Sequence, residues 1–383
     1  MHEELYRILK RKREFLRMLV FSDLDTGLTR EFVESKWAEY SPKKRDDFSV
    51  AVADGSQIFQ SFIGFNFGLV GGYGYFYDLR YKDRKNYIIG DVVISFSKKP
   101  EFMKSYLSLL MFLSELKALY RISLEKKPDL IVFDGTITSR LITPFPRSDW
   151  FVKSEDMEVT LNTVCLSILR KIDKTVFTDY DGIYSTSLEL MNDIVIPTLS
   201  ESGINPRKDV VEAILAKIAY YEMMYILFKL TNIKDSLIVG IAKTSSGVDI
   251  FKSSVPDIKI LSSSLNKLGY SKELIPQDIQ KLKSSFGEII SDISSFLSDL
   301  QVFSFYSKYS TPRYINLIEF IQHPEKDTVK VEELLDMISS ISLDGYPFLL
   351  KKVDNEVRIT KEDLEFAIKE VRLEQEITGR DLL

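Results

Sequence analysis

Two apolar runs that each end in Asp-Gly constrain the fold of this chain more than any other feature. Residues 50–56 read VAVADGS and residues 130–136 read LIVFDGT. Runs this rich in valine, alanine and isoleucine are typical of strands buried on both faces, and Asp-Gly is typical of a strand end. Two such strands lying side by side would bring Asp54 and Asp134 together. An Asp-Gly pair is also ordinary turn chemistry, in which the aspartate bonds only its own backbone.

The segments between the two runs predict a mixed α/β fold. Further segments of strand composition follow the first run and predict an antiparallel meander, in which Gly71 and Gly72 separate two strands as hairpin glycines. A long helix is predicted for about residues 101–125, directly before the second run. The order strand, helix, strand allows the two Asp-Gly strands to lie parallel, joined by the helical crossover.

The rest of the chain alternates between predicted helices and strands. Residues 150 to about 230 are predicted to form a mainly helical insertion, and 257–300 are also predicted to be helical. Further strands are predicted at 236–244, 301–308 and 313–321, and further helices at 328–341 and 348–373. The predicted organisation is an N-terminal helix within residues 1–30 and one large domain over 45–383.

The composition excludes several kinds of chemistry. The 383 residues contain one cysteine, Cys165, and two histidines, His2 and His323. They therefore cannot form a disulfide framework or a cysteine-rich zinc site, and offer little for a histidine metal cage. A net charge of -5 provides no overall basic field, so nucleic acid would have to bind at local patches. Because no long apolar run is uninterrupted, we expect a soluble, cytoplasmic protein.

One carboxylate lies within the apolar face of the predicted crossover helix. Spacings of four, four, three and four place five residues on that face: Leu107, Met111, Glu115, Ala118 and Ile122. A buried, ionised and unpaired carboxylate is costly, so Glu115 needs a cation, a hydrogen-bond network or a shifted pKa. A lysine or arginine partner is one explanation. A common centre with Asp54 and Asp134 is the other, and such acidic oxygens suit Mg²⁺ or Mn²⁺.

The chain resembles the NurA nuclease family at four places in register. These are the ADGSQ strand end, the SELKAL pattern around Glu115, the FDGT strand end and a late GYPFLLKKVDNEV segment, and together they cover nearly the whole chain. The resemblance implies an RNase H-like mixed sheet flanked by helices, within residues 45–383. It also implies a Mn²⁺-dependent deoxyribonuclease, with Mg²⁺ as the alternative cofactor, that acts on single-stranded DNA and duplex ends.

The resemblance also implies which residues hold the metal. It maps the acidic ligands onto Asp54, Glu115 and Asp134, and two-metal-ion phosphodiester hydrolysis is the implied mechanism. The family often has a histidine near the start of the last helical region, where this chain has Asp354 as the best matching fourth ligand. Lys243 has a family counterpart and is predicted to contact phosphate, although a solvated lysine at a strand end would look the same in sequence.

Asp354 is favoured over Asp344 as the fourth ligand. Asp344 lies in LDGYP, which is turn composition and predicts a solvent-facing carboxylate. Asp354 shares a predicted apolar helical face with Leu350, Val353 and Val357, which predicts that it is buried. The alternative is that Lys351 or Arg358 neutralises it within one turn of the helix.

Partners are implied by the resemblance as well. A homodimer and a HerA-type hexameric ATPase are expected, acting together in DNA end resection. Apolar side chains of the N-terminal helix, among them Leu16, Met18 and Leu19, are predicted contacts for the dimer or the ATPase, and packing in the chain's own core is the alternative.

Two other functions stay open from the sequence. The first is an RNase H-like nuclease acting on RNA or an RNA/DNA hybrid. No feature of the sequence indicates whether the 2′-hydroxyl is recognised, so the sequence does not distinguish RNA from DNA. The second is a non-catalytic adaptor of the ATPase, in which the acidic cluster would be a relic.

Overall fold

A ten-stranded mixed sheet forms the centre of the molecule. The computed structural model describes residues 3–21, 27–97, 100–142, 155–233, 236–277, 300–322 and 328–374. The strands of the sheet are β1 (Trp37–Glu39), β2 (Ser49–Phe62), β3 (Phe65–Asp78), β4 (Arg84–Ser95), β5 (Leu130–Asp134), β6 (Leu237–Ala242), β7 (Gly269–Ser271), β8 (Ile275–Pro276), β9 (Gln301–Lys308) and β10 (Asn316–Gln322). They follow the order β1-β7-β9-β10-β6-β5-β2-β3-β4, and β8 pairs with β9. A separate two-stranded hairpin joins β11 (Ser342–Leu343) and β12 (Tyr346–Pro347).

The described helices include some that pack on each face of this sheet and an exposed N-terminal helix. They are α1 (Glu3–Phe21), α2 (Arg30–Ser35), α3 (Pro100–Lys126), α4 (Ile137–Ile142), α5 (Glu155–Lys171), α6 (Val176–Asp179), α7 (Ile196–Glu201), α8 (Lys208–Thr231), α9 (Asp257–Ser264), α10 (Val331–Ser340), α11 (Phe348–Val357) and α12 (Lys361–Glu370). Alternate residues of β2 enter opposite cores, because Ala51 and Ala53 pack with α3 and Val50 and Val52 pack with α10 and α11. The predicted mixed sheet flanked by helices is therefore confirmed, including strands buried on both faces.

The two Asp-Gly strands are adjacent and parallel. β2 pairs with β5 from Val50↔Leu130 to Ala53↔Phe133, so Asp54 and Asp134 are the next residues on each strand. β5 also pairs in parallel with β6, while β2, β3 and β4 form an antiparallel meander. The predicted order of meander, crossover helix and parallel strand is confirmed.

A helical insertion separates β5 from β6, and its longest helix, α8, packs against α3. An ion pair fixes this contact, with Lys117 Nζ 2.7 Å from Glu222 Oε1 and both side chains almost fully buried. Glu222 also accepts hydrogen bonds from the backbone N–H groups of Tyr184 and Ser185. Because every partner is buried, this network sets the position of α3 relative to the insertion.

Three predicted boundaries are wrong. β2 does not end at Gly55 but continues to Phe62, because β3 pairs with it along its whole length. Gly71 and Gly72 do not separate two strands, since both lie inside β3. The predicted helix at 348–373 is two helices, α11 and α12, because Arg358 leaves the helical conformation and Thr360 begins α12 with a capping box.

The stretch 257–300 is only partly helical. Asp257–Ser264 forms α9, but Gly269–Ser271 and Ile275–Pro276 are strands that pair with β9. Residues 278–299 lie outside the described residues. These strands are too short to produce a periodic pattern, and only their neighbours in the sheet define them.

The described side chains of the N-terminal helix α1 lie outside the core. Residues 3–18 are all exposed, including Leu16 at 43% and Met18 at 60% of their surface. The side chain of Leu19 lies outside the described residues. Packing of α1 in the chain's own core is therefore wrong for the side chains that are described. None of the described helices is both long and apolar enough to cross a membrane.

Candidate metal centre

A notch in the sheet brings the predicted acidic residues together. β5 ends at Asp134, whereas β2 continues past Ala53 for nine more residues, to Phe62. Asp54 and Asp134 lie where the two strands part. Asp54 Oδ1 accepts a hydrogen bond from the N–H of Gly55 at 2.8 Å, so the local backbone bond expected of an Asp-Gly pair is present. Asp54 Oδ2 remains available for other contacts.

Helix α3 lies unusually close to the sheet at this notch. A Cβ added to Gly55 would lie 2.6 Å from Glu115 Oε1, and one added to Gly72 would lie 2.4 Å from the backbone N of Glu115. Only glycine allows this approach, which brings the Glu115 carboxylate over Gly55. Gly72 is thus a helix-packing residue inside β3, and the interpretation of Gly71 and Gly72 as hairpin glycines is wrong.

Burial and mutual repulsion disfavour the charged forms of these acids. The pKa of Asp54 is raised to about 6, mainly by burial; the hydrogen bond from the N–H of Gly55 opposes the shift, and the charges of Asp134 and Asp354 add to it. Burial also raises the pKa of Glu115 to about 7, with Arg140 opposing the shift and Asp54 and Asp134 adding to it. A cation placed among these carboxylates would remove this penalty.

Arg140 is a residue of the notch that the sequence did not reveal. It lies on the short helix α4, and its Nη1 is 3.6 Å from Glu115 Oε1. Its Nη2 donates to the backbone carbonyl of Asp134 at 3.4 Å, and its guanidinium lies 5.2 Å from the centre of the Phe112 ring. The arginine partner considered for Glu115 therefore exists. Its position six residues after Asp134 on the chain is the only sequence signal that could have suggested it.

Lys243 and Tyr346 form the opposite wall of the notch. Lys243 Nζ is 3.7 Å from Asp134 Oδ2 and lies 3.8 Å from the centre of the Tyr346 ring. Lys243 was predicted from the sequence, whereas Tyr346, which lies within the GYPFLL segment, was not. Burial and the neighbouring charge of Asp134 raise the pKa of the Tyr346 hydroxyl, which stays protonated. A protonated phenol beside a carboxylate and a lysine can donate to an incoming anionic oxygen.

Asp354 lies near the notch but is not buried. Its charge contributes to the raised pKa of Asp54, and α11 packs on β2 and β3. Leu350 and Val353 face the core as predicted, whereas Asp354 is exposed. The predicted burial is wrong because Asp354 is one residue, about 100° around the helix, from Val353. Asp344 is exposed at a positive φ of 52° in the β11–β12 turn, which confirms its prediction as a turn residue.

The oxygen donors of the notch fit a divalent cation. Glu115 Oε1 is buried and makes no hydrogen bond with any described residue. In the present arrangement of side chains, no three acidic, histidine or cysteine side chains of the described residues are placed to share one ion. Mg²⁺ is usually held by one or two carboxylates and keeps several waters, so two members of the cluster are sufficient ligands. Hard carboxylate oxygens suit Mn²⁺ in the same way.

The chain is similar to a family of known proteins over most of its length. The NurA domain family model matches residues 48–359. A probable DNA double-strand break repair nuclease NurA of Methanocaldococcus jannaschii is 26% identical over 97% of this chain and 89% of the relative. The DNA double-strand break repair nuclease NurA of Sulfurisphaera tokodaii is 23% identical over 95% of this chain and 94% of the relative.

Solved structures share the fold across the whole chain. The crystal structure of the NurA nuclease from Sulfolobus solfataricus matches with a TM-score of 0.64 at 21% identity, covering 97% of this chain and 96% of that one. A crystal structure of NurA bound to dAMP and manganese matches with a TM-score of 0.63 at 16% identity, covering 97% and 98%. The large mixed sheet with flanking helices is therefore a fold that this chain has in common with these proteins.

Proposed function

Because the chain belongs to the NurA family, we propose that it is a metal-dependent nuclease that hydrolyses phosphodiester bonds of DNA. The observation that carries the proposal is the convergence of Asp54, Glu115 and Asp134 at the notch: the two aspartates follow paired residues of adjacent parallel strands, and Glu115 Oε1 lies over Gly55. Curated relatives are named DNA double-strand break repair nucleases. Perturbed carboxylates in a cleft are typical of a functional site.

The proposed cofactor is Mn²⁺, with Mg²⁺ as the alternative. A related crystal structure contains manganese and dAMP. Asp54, Glu115 and Asp134 would hold the metal, with Asp354 as the proposed fourth ligand from the solvent side. When bound, two such ions activate a water and stabilise the charge of the leaving oxygen.

The remaining residues of the notch are proposed to bind and orient the strand. Lys243 is 58% exposed, so its ammonium can contact a phosphate while it stays near Asp134. The Tyr346 ring beneath it restricts where that ammonium lies. Arg140 neutralises Glu115 and orders the segment after Asp134 through the backbone carbonyl. These roles require no proton transfer by the carboxylates.

We further propose that the chain acts on single-stranded DNA and duplex ends during end resection, as a homodimer with a HerA-type ATPase. Both partners come from the family resemblance. The exposed apolar side chains of α1 within residues 3–18 support a partner contact, because an apolar helix face that stays in water is unfavourable. Action on RNA or a hybrid, and a purely structural adaptor role, are the competing functions.

One experiment separates these functions. Purified protein is incubated with labelled single-stranded DNA, duplex DNA and RNA, each with Mn²⁺, Mg²⁺ or EDTA. We expect cleavage of DNA that requires a divalent ion, and loss of cleavage in Asp54→Asn and Asp134→Asn without a change in fold. Preferred cleavage of RNA would favour the RNase H-like alternative. Absence of cleavage under every condition would favour the adaptor.

The first prediction concerns these two variants. The isosteric amide keeps the local backbone geometry but removes the charge that holds the ion, so we expect at least about a hundredfold loss in rate. Asp344→Asn, in an exposed turn, is the matched control and should cleave normally. Near wild-type rates in either Asp54→Asn or Asp134→Asn would disprove the metal centre.

A further inference from the structure

A cavity of about 980 Å³ lies directly beside the metal centre. Gly135, which follows Asp134, and Thr244, which follows Lys243, both contribute to its lining. The cavity and the metal centre therefore share the two loops that leave β5 and β6. A molecule held at Asp134 and Lys243 is within reach of this cavity.

The described lining of the cavity has no basic side chain and is rich in hydroxyl groups. Six hydroxyl side chains come from two segments, the loop after β5 with α4 and the loop after β6: Thr136, Thr138, Ser139, Thr244, Ser245 and Ser246. Ala242, Ile275 and Leu317 supply apolar surface. None of the described lining residues is a lysine or arginine, and the two charged ones, Asp249 and Glu319, are acidic. Such a cavity repels phosphate and suits a neutral ligand with both polar edges and an apolar face.

The wall formed by the loop after β6 is held in place by internal hydrogen bonds. Asp257 is fully buried and accepts from the N–H groups of Ile250 at 2.8 Å and Phe251 at 3.1 Å. Its own N–H donates to the carbonyl of Gly247 at 2.8 Å. Ser245 Oγ lies 3.1 Å from the Tyr306 hydroxyl. Because these groups are already ordered, little conformational entropy is lost at this wall when a ligand binds.

The opposite wall is connected to the metal centre through α4. Glu319 is buried and accepts from both the N–H of Thr138 at 2.9 Å and its hydroxyl at 3.1 Å. Two residues further along the same helix, Arg140 reaches Glu115. The short helix α4 thus contacts the cavity through Thr138, which Glu319 holds, and contacts the metal centre through Arg140.

We propose that this cavity binds one neutral nucleoside unit of the substrate strand, next to the phosphate held at the metal centre. The inference rests on the proposed function, since it needs a nucleic acid strand at the notch. The hydroxyl groups donate hydrogen bonds to, or accept them from, the sugar and the base edge, and the carboxylates accept them. The apolar side chains pack against the face of the base. The next phosphate stays outside, because nothing in the described lining attracts it.

Filling the cavity mouth tests this assignment. Ser246 is exposed and lines the cavity, so Ser246→Trp places an indole in its mouth. Val248 lies two residues away on the same loop, is 37% exposed and does not belong to the lining, so Val248→Trp is the matched control. The substrates are a DNA oligonucleotide and bis(p-nitrophenyl) phosphate, a phosphodiester without a nucleoside.

We expect Ser246→Trp to raise KM for DNA at least about tenfold while hydrolysis of bis(p-nitrophenyl) phosphate stays within about twofold of wild type. Val248→Trp should change neither. Equal effects of Ser246→Trp on both substrates, or no effect on DNA, would overturn the proposal.

A binding measurement keeps the test independent of catalysis. Oligonucleotides with 2-aminopurine at the 5′ or the 3′ end are titrated with protein in EDTA. Emission from one of the two ends should change with wild type and Val248→Trp but not with Ser246→Trp. If the wild-type protein cleaves neither substrate with any metal, the proposed nuclease function is wrong, but the emission measurement still decides whether the cavity binds a nucleoside. If wild type changes the emission at neither end, the proposed nucleoside site is wrong.

Discussion

At the scale of single residues, the proposed metal centre consists of carboxylates that reach one notch from different elements. Asp54 and Asp134 come from adjacent parallel strands, and Glu115 reaches them from the helix above. Asp354 approaches from α11 on the solvent side. Because each carboxylate has different neighbours, we expect substitutions at the four positions to have different effects on cleavage.

The second prediction distinguishes Asp354 from Asp344. Asp354 is close enough to Asp54 for its charge to matter, whereas Asp344 lies in an exposed turn. Under saturating Mn²⁺ we expect Asp354→Asn to lose at least about tenfold in rate, about 1.4 kcal/mol of transition-state stabilisation, and Asp344→Asn to remain active. The measurement is the cleavage rate of labelled DNA. An inactive Asp344→Asn beside an active Asp354→Asn would reverse the assignment.

The third prediction concerns Gly55. An alanine Cβ there would lie 2.4 Å from Met111 Cγ and 2.6 Å from Glu115 Oε1, so the carboxylate has to leave its position. We expect Gly55→Ala to fold but to lose most metal-dependent cleavage, with a destabilisation of about 1–3 kcal/mol from overpacking. At Gly71 an added Cβ meets nothing closer than 3.7 Å. Gly71→Ala is therefore the control, and equal activity of the two variants would contradict this role for Gly55.

At the scale of secondary-structure elements, buried polar groups join the insertion to the sheet. Glu212 on α8 accepts hydrogen bonds from the N–H of Phe96 and from Ser95 Oγ, at the end of β4. Burial raises its pKa to about 7, although these hydrogen bonds oppose the shift. The folded protein therefore holds a proton on Glu212 more tightly than the unfolded chain does.

The fourth prediction follows from this shift. A raised folded-state pKa gives stability that is complete below the unfolded value, near 4.5, and is lost as the pH rises through about 7. We expect the melting temperature of the metal-free protein to fall over this range, and to fall less in Glu212→Gln, which cannot ionise. Glu189→Gln, at an exposed position of the same insertion, should follow wild type. Identical pH profiles for Glu212→Gln and wild type would rule out this contribution.

At the scale of the whole molecule, the exposure of α1 is the feature that points to a partner. The side chains of residues 3–18 are all exposed, including the ion pair of Arg7 with Glu3 at 2.8 Å. None of the described side chains of α1 belongs to the four hydrophobic clusters. Apolar side chains that stay exposed outside the core are suited to contact with a partner.

The fifth prediction concerns deletion of residues 1–20. The truncated protein should fold with an unchanged melting temperature and keep its activity on bis(p-nitrophenyl) phosphate, because no described contact of the domain is lost. We expect it to lose the dimer or the complex with a HerA-type ATPase, as measured by sizing chromatography. Leu16→Asp is a milder variant that should weaken the same association. Intact dimer and ATPase complex after the deletion would remove this role for α1.

The sequence by itself determined the local features of this protein. Apolar runs ending in Asp-Gly predicted β2 and β5 and the meeting of Asp54 with Asp134, and the helical spacing predicted that Glu115 is buried. These inferences succeed because burial leaves a periodic signal within a single element. The prediction that Asp354 is buried was wrong, because Asp354 was assigned to the apolar face of α11 to which its neighbour Val353 belongs.

Only the tertiary structure decided which elements meet at the notch. Arg140, Tyr346 and the cavity lining come from segments far apart in the chain, and each has an ordinary local sequence. The glycines of β3 looked like turn residues, because glycine is equally suited to a turn and to close packing against a helix. Their role follows from the approach of α3, a long-range contact that leaves no trace in the local pattern.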